Sequence, residues 1–83
     1  MRVEIQIGAQ AEFMALPRSI QARVNSIFIR LQDWPAVSGA KALRGNLAGH
    51  FRLRTGDYRV QFFINGETLI VEKIGHRDGF YDP

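Results

Sequence analysis

The second half of the chain is predicted to form three consecutive β-strands, and this prediction constrains the fold most. Residues 50–54, 58–64 and 68–75 are three strand-like runs, separated by Thr55-Gly56-Asp57 and Asn65-Gly66-Glu67. A strand turns successive side chains to opposite faces, so alternation of apolar and polar residues predicts strands with one buried face. Asn-Gly between two apolar runs is typical of a tight hairpin. The sequence therefore predicts an antiparallel three-stranded unit.

Arginines occupy three of the polar positions in the first two of these strands. Phe51 and Leu53 fall on one face of the first strand, while Arg52 and Arg54 fall on the other. Arg59 occupies the corresponding position in the second strand. We therefore expect a sheet with one apolar face and one arginine-bearing face.

Arginines on adjacent strands repel one another, so their proximity favours a bound anion such as a polyphosphate backbone. The alternative is that Glu67 or Glu72 pairs with them across the sheet. The last strand does not alternate cleanly, which predicts an internal strand or a bulge near Glu72.

The first half of the chain predicts one strand and two helices. Val3 to Ile7 alternates and predicts a strand that Gly8 ends. Residues 9–16 are rich in helix formers, and apolar residues recur at helical spacing from Ile20 to Leu31. Trp34-Pro35 then ends the second helix. We expect Trp34 to fill a gap in the core, with a base-stacking role as the alternative.

The predicted fold is therefore α+β, in the order strand, helix, helix, three strands. The helical hairpin packs on one face of a mainly antiparallel four-stranded sheet. At 83 residues, the chain (1–83) is expected to form a single domain.

Composition narrows the classes of function. The chain has no cysteine, which excludes disulfides and thiolate chemistry, and it shows no zinc-ligand spacing, phosphate-binding glycine loop or nucleophile elbow. We expect no metal and no cofactor. No membrane-spanning run or signal peptide is evident, so the expected location is cytoplasmic. The net charge is +3, and residues 41–77 hold seven basic against three acidic side chains.

Further candidates lie outside the three strands. Lys41 and Arg44 belong to the glycine-containing loop 36–49 and either contact phosphate or are simply solvated. His76 is a candidate acid, base or RNA-binding group, with a structural role as the alternative. Tyr81 either stacks on a base, donates a proton or caps the core.

Three blocks together resemble the RelE/ParE superfamily of toxins from toxin–antitoxin systems. They are Lys41-Ala42-Leu43-Arg44-Gly45, the stretch from Phe51 to Val60, and Gly75-His76-Arg77 through Tyr81. The resemblance covers essentially the whole chain and implies the RelE-like fold. It also implies a cognate antitoxin as partner.

The resemblance implies two activities. RelE-type members enter the ribosomal A site and cut mRNA by attack of a ribose 2′-hydroxyl on the adjacent phosphate, whereas ParE-type members inhibit DNA gyrase without enzymatic activity. RelE-like mRNA cleavage by the ribosome-bound toxin is the expected function. The gyrase inhibitor and an inactive, binding-only member are the alternatives.

The resemblance also implies roles for single residues. Arg59 and Arg77 match arginines on the scissile phosphate, and Tyr81 matches the tyrosine that stacks on or protonates the substrate. Arg52 and His50 match two basic residues that stabilise charge and transfer protons. Since arginine is a poor general base, that role is expected of His50. Lys41, Arg44, Arg54 and His76 are expected RNA-binding residues.

Overall fold

The computed structural model describes residues 1–80, so the predicted site residue Tyr81 lies outside the described residues. Five strands form one mixed sheet in the order β1-β5-β4-β3-β2, with β1 parallel to β5 and the other pairs antiparallel. The elements are β1 (Arg2–Ile5), α1 (Ile7–Met14), α2 (Arg18–Leu31), β2 (Lys41–Ala42), a 3₁₀ turn (Gly45–Leu47), β3 (His50–Thr55), β4 (Tyr58–Asn65), β5 (Thr68–His76) and α3 (Arg77–Phe80).

Two tight turns join the last three strands. Thr55 pairs with Tyr58 across the first turn, and Asn65 pairs with Thr68 across the second, so each loop has two residues. The first loop residue is a glycine with positive φ in both turns, +58° at Gly56 and +62° at Gly66. Glycine with positive φ at this position alone is what a type II′ hairpin turn requires. The predicted hairpins are confirmed.

Strand β5 contains the predicted bulge. Gln61 pairs with Lys73 and Phe62 pairs with Val71, so Glu72 is the extra residue of β5. One residue beyond Lys73, the backbone N–H of Ile74 donates a hydrogen bond to Oε1 of Glu12, at 2.8 Å. A carboxylate from α1 therefore satisfies the backbone next to the bulge, where regular pairing is disturbed.

Helices α1 and α2 pack against one face of the sheet. Val24, Ile27 and Leu31 recur at helical spacing on α2 and are buried. Trp34 packs edge-on against Phe62, with ring centroids 5.2 Å apart, which confirms its predicted place in the core. The buried core residues are Ala9, Val24, Ile27, Leu31, Leu53, Val60, Phe62, Leu69, Val71 and Ile74.

The expected sheet and first strand need correction. Lys41 and Ala42 pair with Arg52 and Phe51 and add a fifth, edge strand to the sheet. Two residues are too few to show a periodic pattern, so the sequence predicted a loop at these positions. The first strand ends at Ile5, and Ile7 instead begins α1 with 84% of its surface exposed.

The opposite face of the sheet, here called the outer face, carries His50, Arg52 and Arg54 of β3 and Arg59 and Gln61 of β4. The short α3 covers part of it through Phe80, whose side chain is 3% exposed. The guanidinium carbon of Arg52 lies 5.0 Å from the Phe80 ring centroid. Among residues 1–80, no helix is long and apolar enough to cross a membrane.

Candidate functional site

Like charges face each other directly on the outer face. Arg54 pairs with Arg59 across the β3–β4 hairpin, and Lys41 pairs with Arg52 across the β2–β3 edge. Directly opposed side chains have Cβ atoms about 4.5–5.5 Å apart, and like charges at this spacing are destabilising. The register confirms the predicted arginine-bearing face and adds Lys41 to it.

These basic side chains line an open cavity of about 220 Å³. Lys41 and Arg54 are exposed, and neither forms an ion pair with a carboxylate of residues 1–80. The lining residues are Gly39, Lys41, Arg52, Leu53, Arg54 and Arg59. A cavity with four cationic side chains is suited to a phosphate-bearing ligand.

Arg59 and Arg77 both reach the β3–β4 turn. Nη1 of Arg59 donates to the carbonyl oxygens of Gly56 and Tyr58, at 3.2 and 3.3 Å. The backbone N–H of Arg77 donates to the carbonyl oxygen of Asp57 at 2.7 Å, and Nε of Arg77 lies 3.7 Å from Oδ1 of Asp57. The fold therefore brings together two arginines that are 18 positions apart in the sequence at one end of the sheet.

The ion pairs of Arg77 are weak. Its Nε lies 3.7 Å from carboxylate oxygens of both Asp57 and Asp78, and all three side chains are more than half exposed. Surface pairs of this kind contribute about 0–1 kcal/mol. An incoming phosphate can therefore replace them at little cost.

The other end of the outer face holds a chain of four polar side chains. Nδ1 of His50 contacts Oε2 of Glu72, and Nε2 of Gln61 donates to the same Oε2 at 3.0 Å. Oε1 of Gln61 in turn accepts a hydrogen bond from Nη2 of Arg52 at 2.9 Å. His50 and Arg52 are thus linked through two intermediate residues.

The predicted base and the predicted phosphate arginines occupy different ends of the site. His50 and Arg59 are four residues apart in pairing register, about 14 Å along the strands. Arg52 lies between them, two residues in register from each. The site is therefore an extended surface along β3 and β4 and suits a linear substrate.

The predicted alternative pairing of the arginines with Glu67 or Glu72 is found for neither glutamate. Glu72 contacts His50 and Gln61, and exposed Glu67 forms no ion pair within the described part of the chain. Asp57 and Asp78 lie beside Arg77 instead, and Glu4 pairs with Arg2.

Two further predicted residues lie apart from the outer face. His76 pairs with Tyr58, on the opposite face of the sheet from Arg59, and its ring centroid is 5.2 Å from that of Tyr58. Nδ1 of His76 accepts a hydrogen bond from the backbone N–H of Asp78 at 3.2 Å. Arg44 is exposed and precedes the 3₁₀ turn.

Gln61 and Lys73 are outer-face residues that the sequence did not single out. Gln61 is 6% exposed and is the buried polar side chain between Arg52 and Glu72. Nζ of Lys73 donates to the carbonyl oxygen of Phe80 at 2.7 Å and ties α3 to the sheet. The available signal was the alternation itself, which puts Gln61 on the same face as Arg59. Among residues 1–80, no three His, Asp or Glu side chains are grouped so as to hold a metal ion.

The protein is thus a small, basic α+β protein. A helical hairpin covers one face of its mixed sheet, and a cationic cavity lies on the other face. No protein-family model matches the chain. A curated relative, Toxin RelE3 of Methanocaldococcus jannaschii, is 29% identical over 70 residues, which are 81% of this chain and 80% of the relative.

Solved structures show the same fold. The toxin–antitoxin complex RelBE2 of Mycobacterium tuberculosis matches with a TM-score of 0.80 and 32% identity, over 92% of this chain and 96% of that one. The isolated Escherichia coli RelE toxin matches with a TM-score of 0.76 and 16% identity, over 90% of this chain and 82% of that one. The chain belongs to the RelE family of toxins. Its predicted RelE-like α+β fold is confirmed.

Proposed function

We propose that this RelE-family toxin is a ribosome-dependent mRNA endoribonuclease. The observation that carries the proposal is the outer face: Arg59 and, from α3, Arg77 both contact the β3–β4 turn at one end of it, and His50 lies toward the other end of the same surface. Such a face supplies both of the elements that cleavage by a neighbouring 2′-hydroxyl needs, which are cations for the phosphate and a base for the hydroxyl. The ribosome would align the mRNA in its A site.

The proposed reaction forms a bond between the ribose 2′-oxygen and the adjacent phosphorus. His50 takes the proton of the 2′-hydroxyl, because a neutral imidazole has a free nitrogen lone pair and arginine has none. The bond from phosphorus to the 5′-oxygen of the next nucleotide breaks, which leaves a 2′,3′-cyclic phosphate, and the departing oxygen takes a proton from Tyr81 or from water. Tyr81, outside the described residues, keeps its predicted role as a stacking group or proton donor.

The arginines stabilise the negative charge that builds up on the phosphate oxygens. Arg59 and Arg77 are proposed to contact the scissile phosphate, and Arg52 to stabilise charge nearer His50. Because the backbones of His50 and Arg59 are about 14 Å apart, the proposal requires the Arg59 side chain to leave the turn carbonyls and extend toward Arg52 when RNA binds. Preorganised cations of this kind account for much of the catalysis in phosphoryl transfer. Lys41 and Arg54 are proposed to hold neighbouring phosphates without reading the sequence. Arg44 and His76 remain RNA-binding predictions, at the margin of this surface.

The proposed partners are the ribosome with its mRNA and a cognate antitoxin, in the cytoplasm. The matching RelBE2 structure is a toxin–antitoxin complex. A cationic outer face gives an acidic, partly disordered antitoxin segment an electrostatic reason to bind. Binding there would cover the proposed phosphate site and neutralise its charge.

The test uses purified toxin with programmed ribosomes that carry a defined mRNA codon in the A site. New mRNA 3′ ends at that codon are expected only when ribosomes and toxin are both present. A parallel supercoiling reaction with purified DNA gyrase is expected to be unaffected. Intact mRNA at saturating toxin together with inhibited supercoiling would contradict the proposal and support the ParE-like alternative.

A further inference from the structure

The buried side chain of Gln61 has only one orientation that fits its neighbours. Its Oε1 accepts from Arg52 and its Nε2 donates to Glu72. The reversed amide would place an NH₂ group against the guanidinium and an oxygen against the carboxylate, which cannot form either hydrogen bond. Arg52 and Glu72 therefore fix the amide of Gln61, and Gln61 in turn holds Oε2 of Glu72 in place.

The same Oε2 atom contacts Nδ1 of His50. An ionised carboxylate accepts hydrogen bonds and does not donate them, so the proton of this contact resides on Nδ1. In a neutral imidazole the other nitrogen, Nε2, then carries the free lone pair. Since Nε2 lies on the opposite side of the ring, the available lone pair is directed away from Glu72.

The position of Glu72 depends on the bulge in β5. Glu72 is the residue without a partner in the β4–β5 register, and its side chain is 18% exposed. The ring of His50 is held from a second side by Phe63, with centroids 5.2 Å apart, and its side chain is 28% exposed. The imidazole is thus restrained by both a hydrogen bond and ring packing.

We propose that Glu72 is a positioning residue that keeps His50 in the Nδ1–H tautomer, with Nε2 free to accept the substrate proton. Gln61 supports Glu72 and links it to Arg52. This inference rests on the proposed function, in which His50 is the base. It assigns the carboxylate of the bulge a part in catalysis through His50, without contact to the substrate.

The first test is the tautomer itself, read from the ¹⁵N chemical shifts of the His50 ring in the purified full-length protein at a pH where the ring is neutral. The wild-type protein is expected to show a protonated Nδ1. In Glu72→Ala, no acceptor faces Nδ1, so nothing holds the proton there and the Nε2–H tautomer is expected to become populated. A wild-type ring with its proton on Nε2 overturns the inference without reference to any variant.

The second test is single-turnover mRNA cleavage on programmed ribosomes. Glu72→Ala and His50→Ala are each expected to lower the rate of the cleavage step by about 10²–10⁴-fold, the usual range for general base catalysis. The toxin concentration that gives half-maximal rate is expected to stay unchanged. Glu72→Ala in the His50→Ala background should cause no further loss, since Glu72 acts through His50.

Glu67→Ala is the matched control, because it makes the same chemical change at the exposed β4–β5 turn. It is expected to cleave like the wild type. Wild-type cleavage by Glu72→Ala, or a further loss in the double variant, overturns the positioning role even though the proposed function stands. If the wild type cuts no mRNA, the proposed function fails, and the ring shifts still decide whether Glu72 sets the tautomer.

Discussion

Replacing Arg59 with alanine is expected to abolish activity while leaving the fold intact. The structural contribution of the side chain is small, because a single nitrogen, Nη1, makes both of its hydrogen bonds to backbone carbonyl oxygens, at 3.2 and 3.3 Å. Their loss should cost about 1 kcal/mol. The same change removes the repulsion between Arg59 and Arg54 and returns about 0.2–1 kcal/mol. The net change in the free energy of unfolding is therefore below about 1 kcal/mol.

The expected loss of activity is much larger. Removing one preorganised donor to a developing negative charge typically lowers the rate by about 10²–10³-fold, or about 2.7–4 kcal/mol. Arg59→Lys keeps the charge but loses the planar fork, so it should recover only part of the rate. The assay is single-turnover mRNA cleavage on programmed ribosomes, with urea unfolding of the same preparations.

Arg18→Ala is the charge-matched control, since Arg18 is exposed on the first turn of α2, away from the outer face. It should cleave at the wild-type rate. If Arg59→Ala keeps wild-type cleavage, Arg59 does not contact the scissile phosphate. If it unfolds instead, the estimate of its structural contribution is wrong.

Two further predictions concern stability. Phe62→Ala should lower the free energy of unfolding by about 3–5 kcal/mol, because Phe62 is fully buried and packs against Trp34; urea unfolding measures this, and a loss below about 1 kcal/mol would contradict the described core. Arg54→Glu converts the repulsive pair with Arg59 into an attractive one, so it should raise that free energy by about 0.4–2 kcal/mol at low salt and lose most of the gain in about 1 M NaCl. A gain that is independent of salt would show that charge repulsion is not its source.

The parts of the fold that the sequence predicted are those with a repeated local pattern. The β3–β4 and β4–β5 hairpins followed from the alternation and from Gly56 and Gly66, and α2 followed from its apolar spacing. The strand Lys41–Ala42 was missed because its pairing depends on β3, which is distant in sequence. Local sequence carries no signal for so short an edge strand.

The site was predictable only in part, for a related reason. Alternation was sufficient to put Arg52, Arg54 and Arg59 on one face. Glu72 of β5 contacts His50 of β3 and Gln61 of β4 only because the extra residue of the bulge falls at position 72. Strand propensities do not specify where such a bulge falls. The strand register likewise decides where His76 lies. His76 pairs with Tyr58 and Gly75 pairs with Arg59, so His76 is on the opposite face of the sheet from Arg59.

The most direct test of the central claim is to map mRNA ends on programmed ribosomes after incubation with the purified toxin. The wild-type protein is expected to generate new 3′ ends at the A-site codon, and Arg59→Ala and Arg77→Ala are each expected to lose this activity while remaining folded. Arg18→Ala should cut like the wild type. Uncut mRNA at saturating wild-type toxin, or full cleavage by the Arg59 or the Arg77 variant, would contradict the account.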